Sequence, residues 1–215
     1  MTRLLRVGLL AVAALLAASA VTLAASPPDA GRGSREAFRA EMRGLWNDHV
    51  VWTRMYIVSA ATPPDVLPDI GPTAGRLFAN QADIGDAVAA FYGEAAGDAL
   101  TALLNDHIAI AAEAIGAARA GNQAALDDAL ARWYANADDI ARFLAAANPG
   151  AWHFDHLSAH MRHHLDLTLA EAVARLQGDY PADIAAYDEV RTQILDLADT
   201  LANGIIAQFP GRFGR

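Results

Sequence analysis

The sequence predicts an all-α fold, an up-down antiparallel helical bundle of about five long helices plus a short helical hairpin. Apolar residues recur every three or four positions through most of the chain, which is the period of an amphipathic helix. Clusters of glycine and proline divide this pattern into segments. No run alternates β-branched residues with polar ones, so a sheet is not predicted. Because the breaks are short, neighbouring helices are expected to run antiparallel.

The helical segments follow one another from Ser34, whose residue type caps helix N termini. The first helix is predicted at 34–61, and two prolines end it. Residues 65–72 contain several helix breakers and are predicted to form a loop, before a short helix or pair of short helices at 73–92. Four long helices complete the chain, at about 94–120, 122–147, 154–177 and 182–209.

The N-terminal residues have the pattern of a secretory signal peptide. Two arginines precede an uninterrupted apolar stretch that ends in small residues. We predict a signal peptide at 1–25, with cleavage after Ala20 or Ala25, and a flexible tether at 26–33. The remainder, 34–215, suffices for a single helical-bundle domain. The protein is therefore expected to be exported, periplasmic or secreted, and it contacts a membrane only if the apolar stretch is not cleaved.

The composition excludes several classes of function. The chain contains no cysteine, which rules out disulfides, iron–sulfur ligation and thiolate nucleophiles. It contains no lysine, which rules out a P-loop and Schiff-base chemistry. Its 16 basic residues stand against 25 acidic ones, for a formal net charge of −9. This acidic balance argues against a nucleic-acid partner, because binding nucleic acid requires a basic surface.

Polar residues interrupt the apolar stripes near the middle of four predicted helices. They are His49, His107, Asn136 and His164. The midpoints of helices of similar length reach a common level in an antiparallel bundle, so these side chains are expected to meet in one layer. Buried polar groups cost about 1–3 kcal/mol each when unpaired. Such a layer must therefore satisfy its own hydrogen bonds, hold water or hold a ligand.

This layer is a candidate site for a metal ion or a small molecule. Imidazoles from three helices are suitable ligands for zinc, copper, iron or nickel. Thr168 and Glu171 follow His164 on the same helix face, and Glu171 could complete the ligand set, while Asn136 and Thr168 would contact a bound cofactor. The last helix offers three further carboxylates: Asp188, Asp196 and Asp199. The alternative is a hydrogen-bonded network that fixes helix register and holds no ligand.

A second group of histidines lies on one predicted helix. His156, His160 and His164 are spaced four residues apart, and His153 and His163 flank them. Histidines on adjacent turns can chelate a metal ion, so His156 and His160 are candidate ligands of a second, weak site. The alternative is a solvated helix face that binds nothing.

Arg54 lies off the apolar stripe of the first helix. We expect it to pair with Asp188 or Asp199, and the alternative is that it binds an anionic group of a cofactor. Known catalytic patterns are missing from the sequence. No Glu-x-x-His motif of di-iron bundles and no Gly-x-Ser-x-Gly turn of hydrolases occurs. We therefore assign no catalytic residue and predict binding in preference to catalysis.

Four stretches, at 45–54, 104–108, 133–141 and 204–210, carry a resemblance. With them the chain resembles an uncharacterised family of bacterial all-helical proteins over about residues 44–213. The resemblance implies a single helical domain and no particular activity. We therefore predict an exported helical-bundle protein that binds a transition-metal ion or small ligand at its central polar layer; the alternative is a structural or interaction module.

Overall fold

Six α-helices account for most of the described residues. The computed structural model describes residues 30–63 and 65–213. The helices are α1 (Ala30–Ala61), α2 (Ile70–Tyr92), α3 (Glu94–Arg119), α4 (Gln123–Ala147), α5 (Phe154–Gln177) and α6 (Tyr180–Gln208), followed by a 3₁₀ turn, Pro210–Arg212. The described part contains no strand, so the all-α prediction is confirmed.

The helices pack as a ring. Each one contacts the next along the chain, and α6 packs back against α1. Inside the ring α1 also contacts α3 and α5. The predicted helical bundle is therefore confirmed, whereas the strict up-down alternation of helix direction stays a prediction.

Of the two alternatives predicted for 73–92, the single helix is correct and the hairpin is wrong, because α2 is one helix of 23 residues. It begins at Ile70, inside the segment 65–72 that was expected to be a loop. Pro72 lies in its first turn, where a backbone N–H has no partner within the helix. A proline at this position therefore does not break the helix, and the part of the bundle that the structure describes has six long helices.

The first helix begins earlier than Ser34. Residues 30–33, the end of the predicted tether, already belong to α1. The predicted signal peptide at 1–25 lies outside the described residues. Among the helices that the structure describes, none combines the length and the apolar character needed to cross a lipid bilayer.

The core is mostly apolar and contains buried polar side chains. Leu157, Leu165, Ile140 and Ile194 are completely buried. Buried polar and charged side chains interrupt this core on all six helices, and they include His49, Asn80, Gln81, His107, Asn136, His164, Glu171 and Asp183. These residues form the candidate site.

Candidate functional site

Three histidines from alternate helices meet in the interior of the ring. His49 of α1, His107 of α3 and His164 of α5 are 3%, 2% and 2% exposed. The ring centre of His164 lies 5.7 Å from that of His49 and 6.4 Å from that of His107. The expectation that these imidazoles share one buried level is therefore confirmed.

The side-chain amide of Gln81 determines the tautomer of His49. Gln81 Nε2 donates to the carbonyl of Leu77 at 2.8 Å, so the amide atom facing His49 is the oxygen. His49 Nδ1 lies 3.2 Å from that oxygen. Because an amide oxygen only accepts hydrogen bonds, Nδ1 of His49 carries the proton and its Nε2 carries the lone pair.

The side-chain amide of Asn136 determines the tautomer of His107. Its Nδ2 donates to the carbonyl of Leu103 at 3.0 Å, and its Oδ1 lies 2.8 Å from Nδ1 of His107. His107 is therefore also protonated on Nδ1, with its lone pair on Nε2. Asn136 was predicted to contact a cofactor, but both ends of its amide bind protein groups.

His164, the third histidine, also has a side-chain amide close to it, that of Gln193, but its Nδ1 makes no hydrogen bond to it. Gln193 Nε2 donates to the carbonyl of His160 at 3.0 Å. Gln193 Oε1 and His164 Nδ1 are both buried and have no hydrogen-bond partner among the described residues, although Gln193 lies near enough to His164 to raise its pKa. The third histidine–amide pair, His164 and Gln193, therefore lacks the hydrogen bond that joins the other two pairs.

The three pairs belong to an internal repeat of three helical hairpins. The histidines are 58 and 57 residues apart, and each stands on the first helix of a hairpin. In each hairpin an amide of the second helix donates to the carbonyl four residues before the histidine. The donors are Asn80, Asn136 and Gln193, and the acceptors are Leu45, Leu103 and His160. The histidine layer is thus assembled from three copies of one unit.

The repeat is visible in the sequence, although the sequence analysis missed it. Residues 45–49 and 103–107 share the pattern Leu-x-Asn-Asp-His. Residues 79–84 and 135–140 share Ala-Asn-x-x-Asp-Ile, which becomes Gln-x-x-Asp-Leu at 193–197. A search for self-similarity at a period near 57 residues would have identified Asn80 and Gln193 as partners of the histidine layer.

All three imidazoles are neutral at neutral pH. Burial lowers the pKa of His49 to about 3 and that of His107 to about 4. Burial also lowers the pKa of His164 well below its usual value, and the positive charges that His49 and His107 would carry lower it further. Removing a charged imidazolium from water is costly, so the layer consists of uncharged rings.

The structure does not arrange a complete metal site around these rings. In the part of the chain that the structure describes, no group of three or more histidine, aspartate or glutamate side chains has the geometry to hold a metal ion. Glu171, predicted as a fourth ligand, is bound to Arg54. Thr168, predicted to contact a cofactor, donates its hydroxyl to the carbonyl of His164 at 2.8 Å.

The predicted partners of Arg54 are wrong. Its guanidinium donates to Glu171 Oε1 at 2.7 Å and to Asp183 Oδ1 at 2.8 Å. It also lies over the ring of Tyr187, and Asp199 is paired with Arg43. Arg54, Glu171 and Asp183 form a charged cluster, in which the two carboxylate side chains are only 1% exposed. Helical spacing shows that Arg54 leaves the apolar stripe, but it does not reveal which of the acids across the bundle is nearest.

Burial raises the pKa of Glu171 to about 7, although the Arg54 hydrogen bond opposes this shift. Arg54 was expected either to form an ion pair or to bind an anionic cofactor. Since protein carboxylates occupy its guanidinium, the structure favours the ion pair.

The other two predicted ligands, His156 and His160, lie toward the outer face of α5, where His160 is half-buried. His156 is exposed, and its ring centre is 4.6 Å from that of His160. Asp196 Oδ2 lies 3.9 Å from His160 Nε2. This pair lines the outer face of α5 and is separate from the buried layer, so the stripe 156–160–164 runs from solvent into the core. Whether the surface pair binds metal stays a prediction.

Comparison of the chain with protein-family models, curated proteins and solved structures gives no match. The functional argument therefore depends on the geometry of the site.

Proposed function

We propose that the histidine layer at the centre of the helical ring binds a small electron-pair acceptor. This acceptor is either a transition-metal ion or a small molecule with N–H or O–H donors. The observation that supports this most strongly is the tautomer of the histidines. His49 and His107 are held with the proton on Nδ1, which leaves the lone pair of each of these two buried rings on Nε2. A group of buried acceptors needs a donor or a Lewis acid.

A transition-metal ion suits this chemistry. Neutral imidazole is a good ligand for zinc, copper, iron and nickel. Metal-bound histidines characteristically donate their other ring N–H to a protein oxygen, as His49 and His107 donate to Gln81 and Asn136. Tetrahedral ligation places two imidazole centres roughly 5 Å apart. A shared ion would therefore draw His107 and His164 closer than their present 6.4 Å.

A small hydrogen-bond donor would fit the wider spacing without that movement.

The alternative of a purely structural module is supported by the hydrogen bonds of Gln81 and Asn136, which are complete within the protein. The pattern of residues 1–25 supports a site of action outside the cytoplasm. The unpaired Nδ1 of His164 is the feature that a purely structural layer leaves unexplained.

Metal binding to the full chain tests the proposal. Zinc and cobalt are expected to bind with one ion per chain, and His107→Leu or His164→Leu is expected to abolish this binding. Binding should persist at about pH 5.5, because protons do not compete with the metal until the low pKa values of His49 and His107 are approached. Isothermal titration calorimetry and the visible spectrum of bound cobalt are the measurements.

The double variant His156→Asn/His160→Asn is the matched control, since it removes the surface pair and leaves the buried layer intact. Metal binding lost in this control but retained in His107→Leu would contradict the proposal. If no metal binds, ammonium and urea are tested as hydrogen-bond donors. Their binding is measured by the change in the ¹⁵N signals of the His164 ring. The structural alternative is correct if neither metal nor donor probe changes those signals.

A further inference from the structure

Three equivalent positions of the repeat lie on the outer side of each hairpin. One precedes the histidine of the layer by one residue, and the other two lie four residues before and three residues after the amide donor of the second helix. They are Asp48, Arg76 and Asp83 in the first hairpin, Asp106, Arg132 and Asp139 in the second, and His163, Glu189 and Asp196 in the third. The third hairpin therefore has an acid at the position where the other two have an arginine.

In the first two hairpins this arginine places a positive charge among the acids. Arg76 lies 3.4 Å from both Asp48 and Asp83, so its guanidinium joins carboxylates of the two helices. It also lies over the ring of Trp52, 5.6 Å from the ring centre. Arg132 lines the corresponding groove of the second hairpin together with the two equivalent acids. A guanidinium is therefore the group that this position of the repeat accommodates.

The third hairpin has an open groove between α5 and α6, the α5–α6 groove, which carries negative charge. Its volume is about 650 Å³, which is within the usual range of small-molecule sites. Three carboxylates and two imidazoles line it, and among the described residues no arginine does: Asp188, Glu189, Asp196, His160 and His163. Neither Asp188 nor Glu189 makes an ion pair within the described part of the chain. The groove therefore has the acids of the repeat without its cation.

The half-buried His160 does not replace this cation. Its Nε2 lies 3.9 Å from Asp196 Oδ2. Burial lowers the pKa of His160, and the charges that His156 and His163 would carry lower it further, although Asp196 opposes the shift. The ring of His160 is therefore neutral at neutral pH and leaves the charge of Asp196 uncompensated. A neutral imidazole can also accept a hydrogen bond from a bound cation.

We propose that the α5–α6 groove is a second binding site, for a small organic cation that carries a guanidinium group on an apolar stem. The guanidinium takes the place that Arg76 has in the first hairpin, between the carboxylates of Glu189 and Asp196. Its planar set of N–H donors matches carboxylates better than an ammonium group does. Leu167, which also lines the groove, contacts the stem. The site does not require the histidine layer to bind a ligand.

Titration of the full chain with butylguanidinium, followed through the backbone amide signals in ¹⁵N NMR spectra, tests the site. Butylurea is the matched probe, because it has the same shape and no charge. Butylguanidinium is expected to shift the amides of Thr192 and Asp196 in a saturable manner, and butylurea should bind roughly tenfold more weakly or worse. Ala135 and Asp139, at the equivalent positions of the second hairpin, are the internal control and should show no saturable shift.

Glu189→Arg restores the arginine of the repeat at an exposed position and should raise the dissociation constant of butylguanidinium roughly tenfold or more. Asp86→Arg makes the same change in net charge on the exposed side of α2. It should leave binding unchanged, because salt screens distant surface charges. The ¹⁵N signals of the His164 ring should not move, which separates the groove from the histidine layer. Equal binding of butylurea, or equal effects of the two variants, would overturn the proposal.

Discussion

Replacing Arg54 by leucine is expected to destabilise the fold by about 3–5 kcal/mol at pH 8. Arg54 holds Glu171 and Asp183 at 2.7 and 2.8 Å, and both carboxylates are buried. Without the guanidinium the two acids remain in the core, and Arg175, 3.4 Å from Asp183, is the one cation that the described residues keep beside them. The cost of an unpaired buried charge exceeds the worth of the pair itself. Urea unfolding of the variant and the parent measures the difference.

The loss should shrink as the pH falls, because burial already raises the pKa of Glu171 to about 7. In the variant the hydrogen bond and charge of Arg54 no longer oppose this shift, so Glu171 takes up a proton at a pH above 7, which removes one of the two unpaired charges. Arg132→Leu is the matched control, since Arg132 also joins two carboxylates, those of Glu113 and Asp128, but at the surface. It is expected to change stability little, and equal losses in both variants would contradict this account of the cluster.

Acidification is expected to weaken the fold steeply between about pH 6.5 and pH 4. In the unfolded chain the three histidines of the layer regain their usual pKa of 6.5, whereas in the folded state His49 and His107 stay neutral down to about pH 3 and 4. The unfolded state therefore binds more protons in this window, so stability falls as the pH falls. Glu171 opposes the effect, because its raised pKa makes the folded state bind one proton more.

With three histidines on one side and Glu171 on the other, the unfolded state binds about two protons more than the folded state. This difference corresponds to a change in unfolding free energy of roughly 2–3 kcal/mol per pH unit. Urea unfolding at several pH values between 7 and 5 measures this slope. His164→Leu should reduce the slope by about one proton, whatever its effect on stability at pH 7. A free energy of unfolding that is constant over this range would show that the buried rings are already charged.

The helices and the histidine layer could be predicted from the sequence because both follow from helical periodicity. His49, His107 and His164 stand in apolar stripes at mid-helix, and burial of those stripes brings them together. The course of α2 could not be predicted in this way. Glycine and proline near its start suggest a loop, but the first turn of a helix tolerates both.

Contacts between distant helices set the rest of the site. The pairing of Arg54 with Asp183 spans 129 residues, and helical periodicity carries no information on which acid faces it. Gln193 looks like an ordinary polar residue of α6 until the repeat aligns it with Asn136.

The protonation of the buried imidazoles is tested most directly by ¹⁵N NMR of their ring nitrogens as a function of pH. His49 and His107 are expected to show a protonated Nδ1 and an unprotonated Nε2 that do not change between about pH 7 and pH 5. Addition of zinc or a donor probe should then shift Nε2 and leave Nδ1 protonated. Rings protonated on Nε2, or titration of both nitrogens near the ordinary histidine pKa, would contradict a layer of neutral acceptors at the centre of the bundle.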